Sequence, residues 1–174
     1  MKQESFGEGI VNSNSKLLPK LKGYNCFACG TANPIGLNLH FYINGDSVCA
    51  DIVLGKNYEG WENVAHGGIV STLLDEVMSW TIMYSKKVFL VTRNMSIKYI
   101  RPVPIGIPLT VIGKFMDDSE PPKIKAKAEI RDGQKRLLVR SSAEFVAVHK
   151  EKLSSVPDRL KEDMLLLFDR LSGP

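Results

Sequence analysis

Polar and apolar residues keep two different rhythms along this chain. Ile69, Val70, Leu73, Leu74, Val77 and Trp80 fall on one stripe at about 100° per residue, while Ser71, Thr72, Asp75 and Ser79 gather on the opposite side. No proline interrupts the run, so the spacing predicts one long helix over 66–84, with Lys86 and Lys87 near its end complementing the helix dipole. Elsewhere the rhythm shortens to that of strands. Segments 37–43 and 48–54 read as a hairpin closed by Asn44-Gly45-Asp46. Segments 88–100, 109–116, 123–131 and 136–148 read as four more strands, the last two joined at Asp132-Gly133. This order predicts an α+β fold in which an antiparallel sheet of about six strands encloses a single helix.

The two ends read differently from the centre. Residues 1–22 are polar and weakly patterned, with a turn predicted at 12–15 and a short helix around 17–21. Near the C-terminus Ser155 precedes Asp158 by three, Pro157 falls in the first turn, and Leu160, Met164, Leu167 and Leu171 recur at helical spacing. That amphipathic helix needs a cover. Glu162, Asp163 and Asp169 favour the body of the domain or a second subunit over a membrane. The expected organisation is an N-terminal extension at 1–23, a central domain at 24–150 and a C-terminal helix at 151–174.

Composition narrows the class. A chain of 174 residues, 44% hydrophobic and 24% charged, suits one domain with a substantial core. The net charge of +4 favours an anionic small molecule but is too mild to indicate nucleic acid, and basic patches interleaved with aromatics are missing. The start, Met1-Lys2-Gln3-Glu4-Ser5, lacks a signal-peptide core and no apolar run reaches membrane-span length. The expectation is a soluble, cytoplasmic protein with no membrane partner.

Three cysteines leave one unpaired in any disulfide scheme, consistent with a reducing compartment. Cys26-x-x-Cys29 has the spacing of half a zinc site, but a second pair would be needed. Only Cys49, His40, His66 and His149 remain, scattered along the chain. A redox Cys-x-x-Cys normally opens a helix, and Asn33-Pro34 interrupts any helix here. The favoured reading is two small packing residues in an ordered loop, with no metal and no cofactor. Lys123, Lys125 and Lys127 share one strand face and read as solvated rather than as phosphate ligands.

The most informative stretch is His66-Gly67-Gly68, followed after two turns by Asp75. A helix beginning at the glycines leaves its first N–H groups without intrahelical partners, at the positive end of the dipole. Such amides are able to hold a carbonyl oxygen as it becomes an oxyanion, and glycine lets a ligand approach them closely. Asp75 on its polar face would ordinarily be a solvated carboxylate. Its neighbours, however, are small hydroxyls flanked by Met78, Ile82 and Met83 rather than paired Lys and Glu, the composition of a covered polar seam.

Three segments together resemble the PaaI-like (phenylacetic acid degradation) hotdog-fold thioesterases, relatives of the 4-hydroxybenzoyl-CoA thioesterases. They are Cys26-Phe27-Ala28-Cys29-Gly30 with Asn33-Pro34-Ile35-Gly36-Leu37, then His66-Gly67-Gly68 with Asp75-Glu76, and then Thr92 with Ser96-Ile97-Lys98-Tyr99-Ile100-Arg101-Pro102. The resemblance covers 24–148. It implies a hotdog fold, a homodimer or tetramer of dimers, and hydrolysis of an acyl-CoA thioester. It also implies roles for single residues. Asp75 would be general base or nucleophile, Gly67 would polarise the carbonyl with help from Gly68, His66 would assist the thiol or orient the loop, and Thr92 would orient water. Asn63 is grouped with Gly68 as substrate-binding, although some relatives carry an Asn at the position of Gly60, three residues earlier. Other hotdog chemistries fit less well: Gly36 stands where the hydratase segment Asp-x-Asn-Pro-x-His has its histidine. Phe41, Trp61, Trp80 and Met83 leave room for a medium-chain or aryl acyl group. A non-catalytic acyl-CoA-binding module is the alternative.

Overall fold

The computed structural model describes residues 16–171, so the turn expected at 12–15 lies outside the described residues. Its strands are β1 (Lys16–Leu17), β2 (Tyr42–Asn44), β3 (Ser47–Val53), β4 (Glu59–Trp61), β5 (Val64–Ala65), β6 (Phe89–Tyr99), β7 (Pro108–Asp117), β8 (Lys123–Asp132) and β9 (Leu137–Val148). Among the described residues two α-helices complete it, α1 (Gly67–Lys86) and α2 (Asp158–Leu171), with short 3-10 turns at Lys56–Tyr58 and Lys150–Lys152. The main sheet runs β1-β2-β3-β7-β8-β9-β6 with every pair antiparallel, and β4 and β5 form a separate small hairpin. The sheet curves around α1. β6, which follows α1 directly, becomes the far edge by pairing with β9 alone.

Burial explains why these segments became strands. On β8, Ile124, Ala126, Ala128 and Ile130 are buried while the intervening positions are not, the period-two pattern of a sheet with one face on a core. On α1 Val70, Leu73, Leu74, Val77 and Trp80 of the expected stripe are buried and Ile69 is partly buried, and Met78 and Ile82 are buried as well. The helix therefore sits inside the curve of the sheet. Its approach is closest at Gly113 of β7, where an added Cβ would lie 2.3 Å from Thr81 Oγ1 and 2.8 Å from the Val77 carbonyl oxygen. Only glycine lets the two elements come this near.

Three local expectations are corrected. The short helix around 17–21 does not form: Leu18 donates its N–H to the Phe41 carbonyl, and Pro19 disfavours a helical conformation in the residue before it. The strand expected at 37–43 shrinks to β2. Leu37 and Leu39 instead donate to Phe27 and Ala28 of the preceding loop, so their alternating burial belongs to an extended chain crossing the core. Immediately before α1 the chain forms the β4–β5 hairpin, with Asn63 at a left-handed φ of 62° in its turn. Pro157 sits just before α2, its carbonyl accepting the N–H groups of Leu160 and Lys161. The apolar face of α2 is covered by the domain: Leu167, Phe168 and Leu171 are buried, and Phe168 meets the Phe89 ring edge-on at 5.4 Å.

Candidate active site

β5 delivers the chain to α1 at His66, whose extended backbone and side chain cap the helix: its Nδ1 accepts the Gly68 N–H at 3.0 Å. The Gly68 amide is thus engaged within the chain, whereas Gly67 is the first helical residue and its N–H has no intrahelical acceptor. His66, Gly67 and Gly68 are all exposed. The Gly67 carbonyl, in the peptide that carries the Gly68 N–H, is held by hydroxyls from β6 and from α1 itself. The Tyr99 hydroxyl donates to the Gly67 carbonyl at 3.0 Å, Ser71 Oγ donates to it at 2.8 Å, and the two hydroxyls lie 3.3 Å apart. A cleft of ≈ 420 Å³ opens here, lined by Val64, Gly67, Val70, Tyr99, Arg101 and Pro102.

Asp75 lies two turns further along α1 and is partly buried. Its Oδ1 accepts a hydrogen bond of 2.7 Å from Thr92 Oγ1 of β6. The structure thus brings together two of the residues expected in the site. A β-bulge contributes to this: Thr92 pairs with Phe145 and Asn94 with Glu144, so Arg93 is the extra residue. Bulges re-aim neighbouring side chains, and Arg93 is held by a salt bridge to Glu144 at 3.1 Å. Asn63 is not gathered with these groups; its backbone serves the hairpin, accepting from Ile105 and donating to Glu59. Gly60 packs on His66, where an added Cβ would stand 2.9 Å from His66 Cα.

The proposed aromatic pocket does not form as expected. Phe41 and Trp80 are buried and stacked on one another at 4.5 Å, while Trp61 is 83% exposed on the hairpin. Next to Asp75 in sequence, Glu76 lies about 100° further round α1, where Trp80 Nε1 donates to it at 3.0 Å. Burial, then the negative charge of Cys26, pushes the Glu76 carboxyl up to about 7. The hydrogen bond from the Cys29 thiol lowers the pKa of Cys26, and the same bond together with burial raises that of Cys29. A second, larger cleft of ≈ 660 Å³ lies on the sheet face away from α1, among Lys98, Lys114, Lys127 and Arg140.

Tyr99 is the residue sequence reasoning left without a role. The signal was its place in the Tyr-x-Arg-Pro segment; what it grips became visible only when β6 lay beside α1.

Comparison with known proteins bears on the fold that carries these residues. The thioesterase superfamily family model matches residues 62–117, which include β5, α1, β6 and β7. Among solved structures, a thioesterase superfamily protein superimposes with a TM-score of 0.62 at 28% identity, covering 66% of this chain and 56% of that one. The PaaI protein from the phenylacetic acid degradation operon of E. coli gives 0.59 at 15% identity, covering 65% and 81%. A hypothetical thioesterase from Streptococcus pneumoniae, solved with coenzyme A, gives 0.56 at 18% identity, covering 60% and 83%. No curated protein matches the chain. The fold is the hotdog fold, and the resemblance to PaaI-like thioesterases read from the sequence is borne out.

Proposed function

We propose that the chain hydrolyses acyl-CoA thioesters, with Asp75 serving as general base on water or as nucleophile and the Gly67 amide holding the carbonyl oxygen. The observation that carries this is the partly buried Asp75 carboxylate, fixed by Thr92, on the same helix whose N-terminus presents the Gly67 N–H beside an open cleft. Asp75 has two chemically distinct uses: it takes a proton from water as water attacks, or it attacks the thioester itself, expelling the thiolate, and the mixed anhydride is then hydrolysed. In both, the Gly67 amide and the dipole of α1 stabilise the oxyanion, and the thiol of coenzyme A departs with a proton. His66 is committed by Nδ1 to Gly68, leaving Nε2 the nitrogen available toward the leaving group.

These groups do not meet within one chain. Asp75 lies eight positions beyond Gly67 on the helix, about 12 Å along the axis, whereas a nucleophile and an oxyanion donor must each stand about 3 Å from one carbonyl group. The working site therefore combines Gly67 of one copy with Asp75 and Thr92 of another. β6 is the strand placed to join them: eleven residues long, it is an edge strand and carries Thr92 and Tyr99, with Val91 and Tyr99 about half exposed. Two copies meeting along β6 would cover the Asp75 seam and set two helices side by side. We place this assembly in the cytoplasm; among the described residues no helix is long and apolar enough to cross a membrane.

Steady-state hydrolysis across a panel of straight-chain and aryl acyl-CoAs tests the reading. Turnover abolished by Asp75→Asn with acyl-CoA binding retained supports it. Tight binding without turnover on any member would assign the chain to the non-catalytic binding class instead.

A further inference from the structure

Cys26 and Cys29 acquire a third partner that their spacing gave no sign of. Cys26 Sγ, Cys29 Sγ and a carboxylate oxygen of Glu76 all lie within 4.8 Å of one another, and among the described residues this is the one such group of three or more His, Cys, Asp or Glu side chains. The sulfurs come from a loop ahead of β2, the carboxylate from the middle of α1. The loop is built tightly. Gly30 donates its N–H to the Cys26 carbonyl at 3.0 Å, and a Cβ on Gly30 would lie 2.4 Å from the Tyr24 carbonyl oxygen and 2.5 Å from the Cys26 nitrogen and oxygen. Only glycine closes a turn this narrow, and closing it returns Cys29 to the side of Cys26. Three further bonds fix the loop: Ala32 to the Tyr24 carbonyl, Leu37 to Phe27 and Leu39 to Ala28.

We propose that Cys26, Cys29 and Glu76 form a zinc site that ties this loop to α1. Two sulfurs and one carboxylate oxygen suit a borderline-soft ion that takes four ligands, with water completing the tetrahedron. Calcium and magnesium, which require six or more oxygens, do not fit. With Zn–S bonds of about 2.3 Å, a tetrahedral pair of sulfurs stands about 3.8 Å apart, a spacing compatible with the observed limit. The surroundings are those of a supported ligand set. The Trp80 indole donates to Glu76 and is itself locked by stacking on Phe41, as an outer-shell donor orients a metal-binding carboxylate. Two thiolates and a carboxylate around Zn²⁺ leave one negative charge, and Lys20, held by Asn38 and the Leu39 carbonyl, is the neighbouring cation that interacts electrostatically with all three. Because Glu76 lies about 100° round α1 from Asp75, the ion would brace the helix without entering the thioester site.

The test is metal titration of the full chain, purified under reductant, stripped with a chelator and confirmed folded by circular dichroism. Co²⁺ should bind as a single equivalent with thiolate-to-cobalt charge-transfer absorption, Zn²⁺ should bleach that absorption, and Zn²⁺ should raise Tm and protect Cys26 and Cys29 from alkylation. The double variant Cys26→Ser, Cys29→Ser should lose the signal, Cys49→Ser should keep it, and Glu76→Gln should retain the thiolate absorption with affinity lowered at least ~10-fold. If the cysteine variant does not fold, the alkylation pattern of the wild type decides. Absence of cobalt–thiolate absorption in the reduced, folded wild type would overturn the proposal. So would a Glu76→Gln protein that binds as tightly as the parent, or protection of Cys49 instead of the pair.

Discussion

Thr92 Oγ1 donates to Asp75 Oδ1 across 2.7 Å, joining the edge strand of the sheet to the middle of the central helix. The bond occupies one carboxylate oxygen and leaves the other for water or a thioester, which orients the reactive lone pair. Asp75→Asn should therefore fold and bind acyl-CoA while kcat falls at least ~100-fold, as loss of a general base or nucleophile implies. Thr92→Val keeps the shape of the side chain but frees the carboxylate to rotate; a drop of about 10-fold in kcat with little change in KM is expected. Near-parental kcat in Asp75→Asn would remove the mechanism, whatever Thr92→Val does.

Two glycines should respond in opposite ways. At Gly113 an added methyl meets Thr81 Oγ1 and the Val77 backbone at 2.3 and 2.8 Å, so Gly113→Ala should force α1 away from β7 and cost about 1–3 kcal/mol in urea unfolding. At Gly67 the nearest neighbour of an added methyl is the Tyr99 hydroxyl at 3.4 Å. Gly67→Ala should therefore melt close to the parent yet lose ~100-fold in kcat/KM, because the methyl stands where the thioester approaches the amide. Tyr99→Phe, which removes the grip on the Gly67 carbonyl, should give a smaller loss in the same direction. An active Gly67→Ala would mean that the acyl group binds elsewhere.

These contrasts mark where sequence patterning stops being informative. The helix and four of the long strands were legible because burial imposes a period on every residue of a continuous element, and the turns at Gly45 and Asp132-Gly133 carry their own chemistry. The pairing of Asp75 with Thr92 was legible only as membership of one site, since its geometry depends on a bulge at Arg93 that no periodicity records. Trp80 was misassigned to a pocket for a related reason. Its stripe position showed that it would be buried, and only the fold showed that Phe41 buries it. Glu76 was likewise readable as lying beside the apolar stripe, but the cysteines facing it are about fifty positions away along the chain.

The hairpin between β8 and β9 should confer an acid-dependent stability. Asp132 is buried and accepts the N–H groups of Gln134 at 3.0 Å and Arg136 at 2.9 Å, with the Arg136 guanidinium at 2.7 Å. Desolvation raises its pKa, but these donors outweigh it and hold the carboxyl below the usual carboxylate range. A depressed pKa means that the unfolded chain binds the proton more readily. The stabilisation is therefore fully present above about pH 4, the unfolded pKa, and is lost as pH falls through the lower folded value. Urea midpoints measured from pH 7 downward should fall more steeply for the parent than for Asp132→Asn. Parallel profiles would show that the carboxylate contributes no pH-dependent stability.

The separation of Gly67 from Asp75 along one helix makes the strongest prediction about assembly. If the site combines Gly67 of one copy with Asp75 of another, Gly67→Ala and Asp75→Asn proteins, each nearly inactive alone, should regain activity when dissociated together and reassociated. Half of the reassorted dimers are mixed, and each mixed dimer has one site with both defects and one with neither. The recovery expected for freely exchanging twofold dimers is therefore about a quarter of parental activity. Sedimentation should show at least a dimer at micromolar protein, and Val91→Lys on the exposed face of β6 should shift it toward monomer and lower turnover in parallel. Mixing without any recovery, when mass spectrometry shows that mixed dimers have formed, would return both halves of the site to a single chain. The 12 Å of helix between them would then have to be spanned by the substrate rather than by a partner, a distance no single thioester group covers.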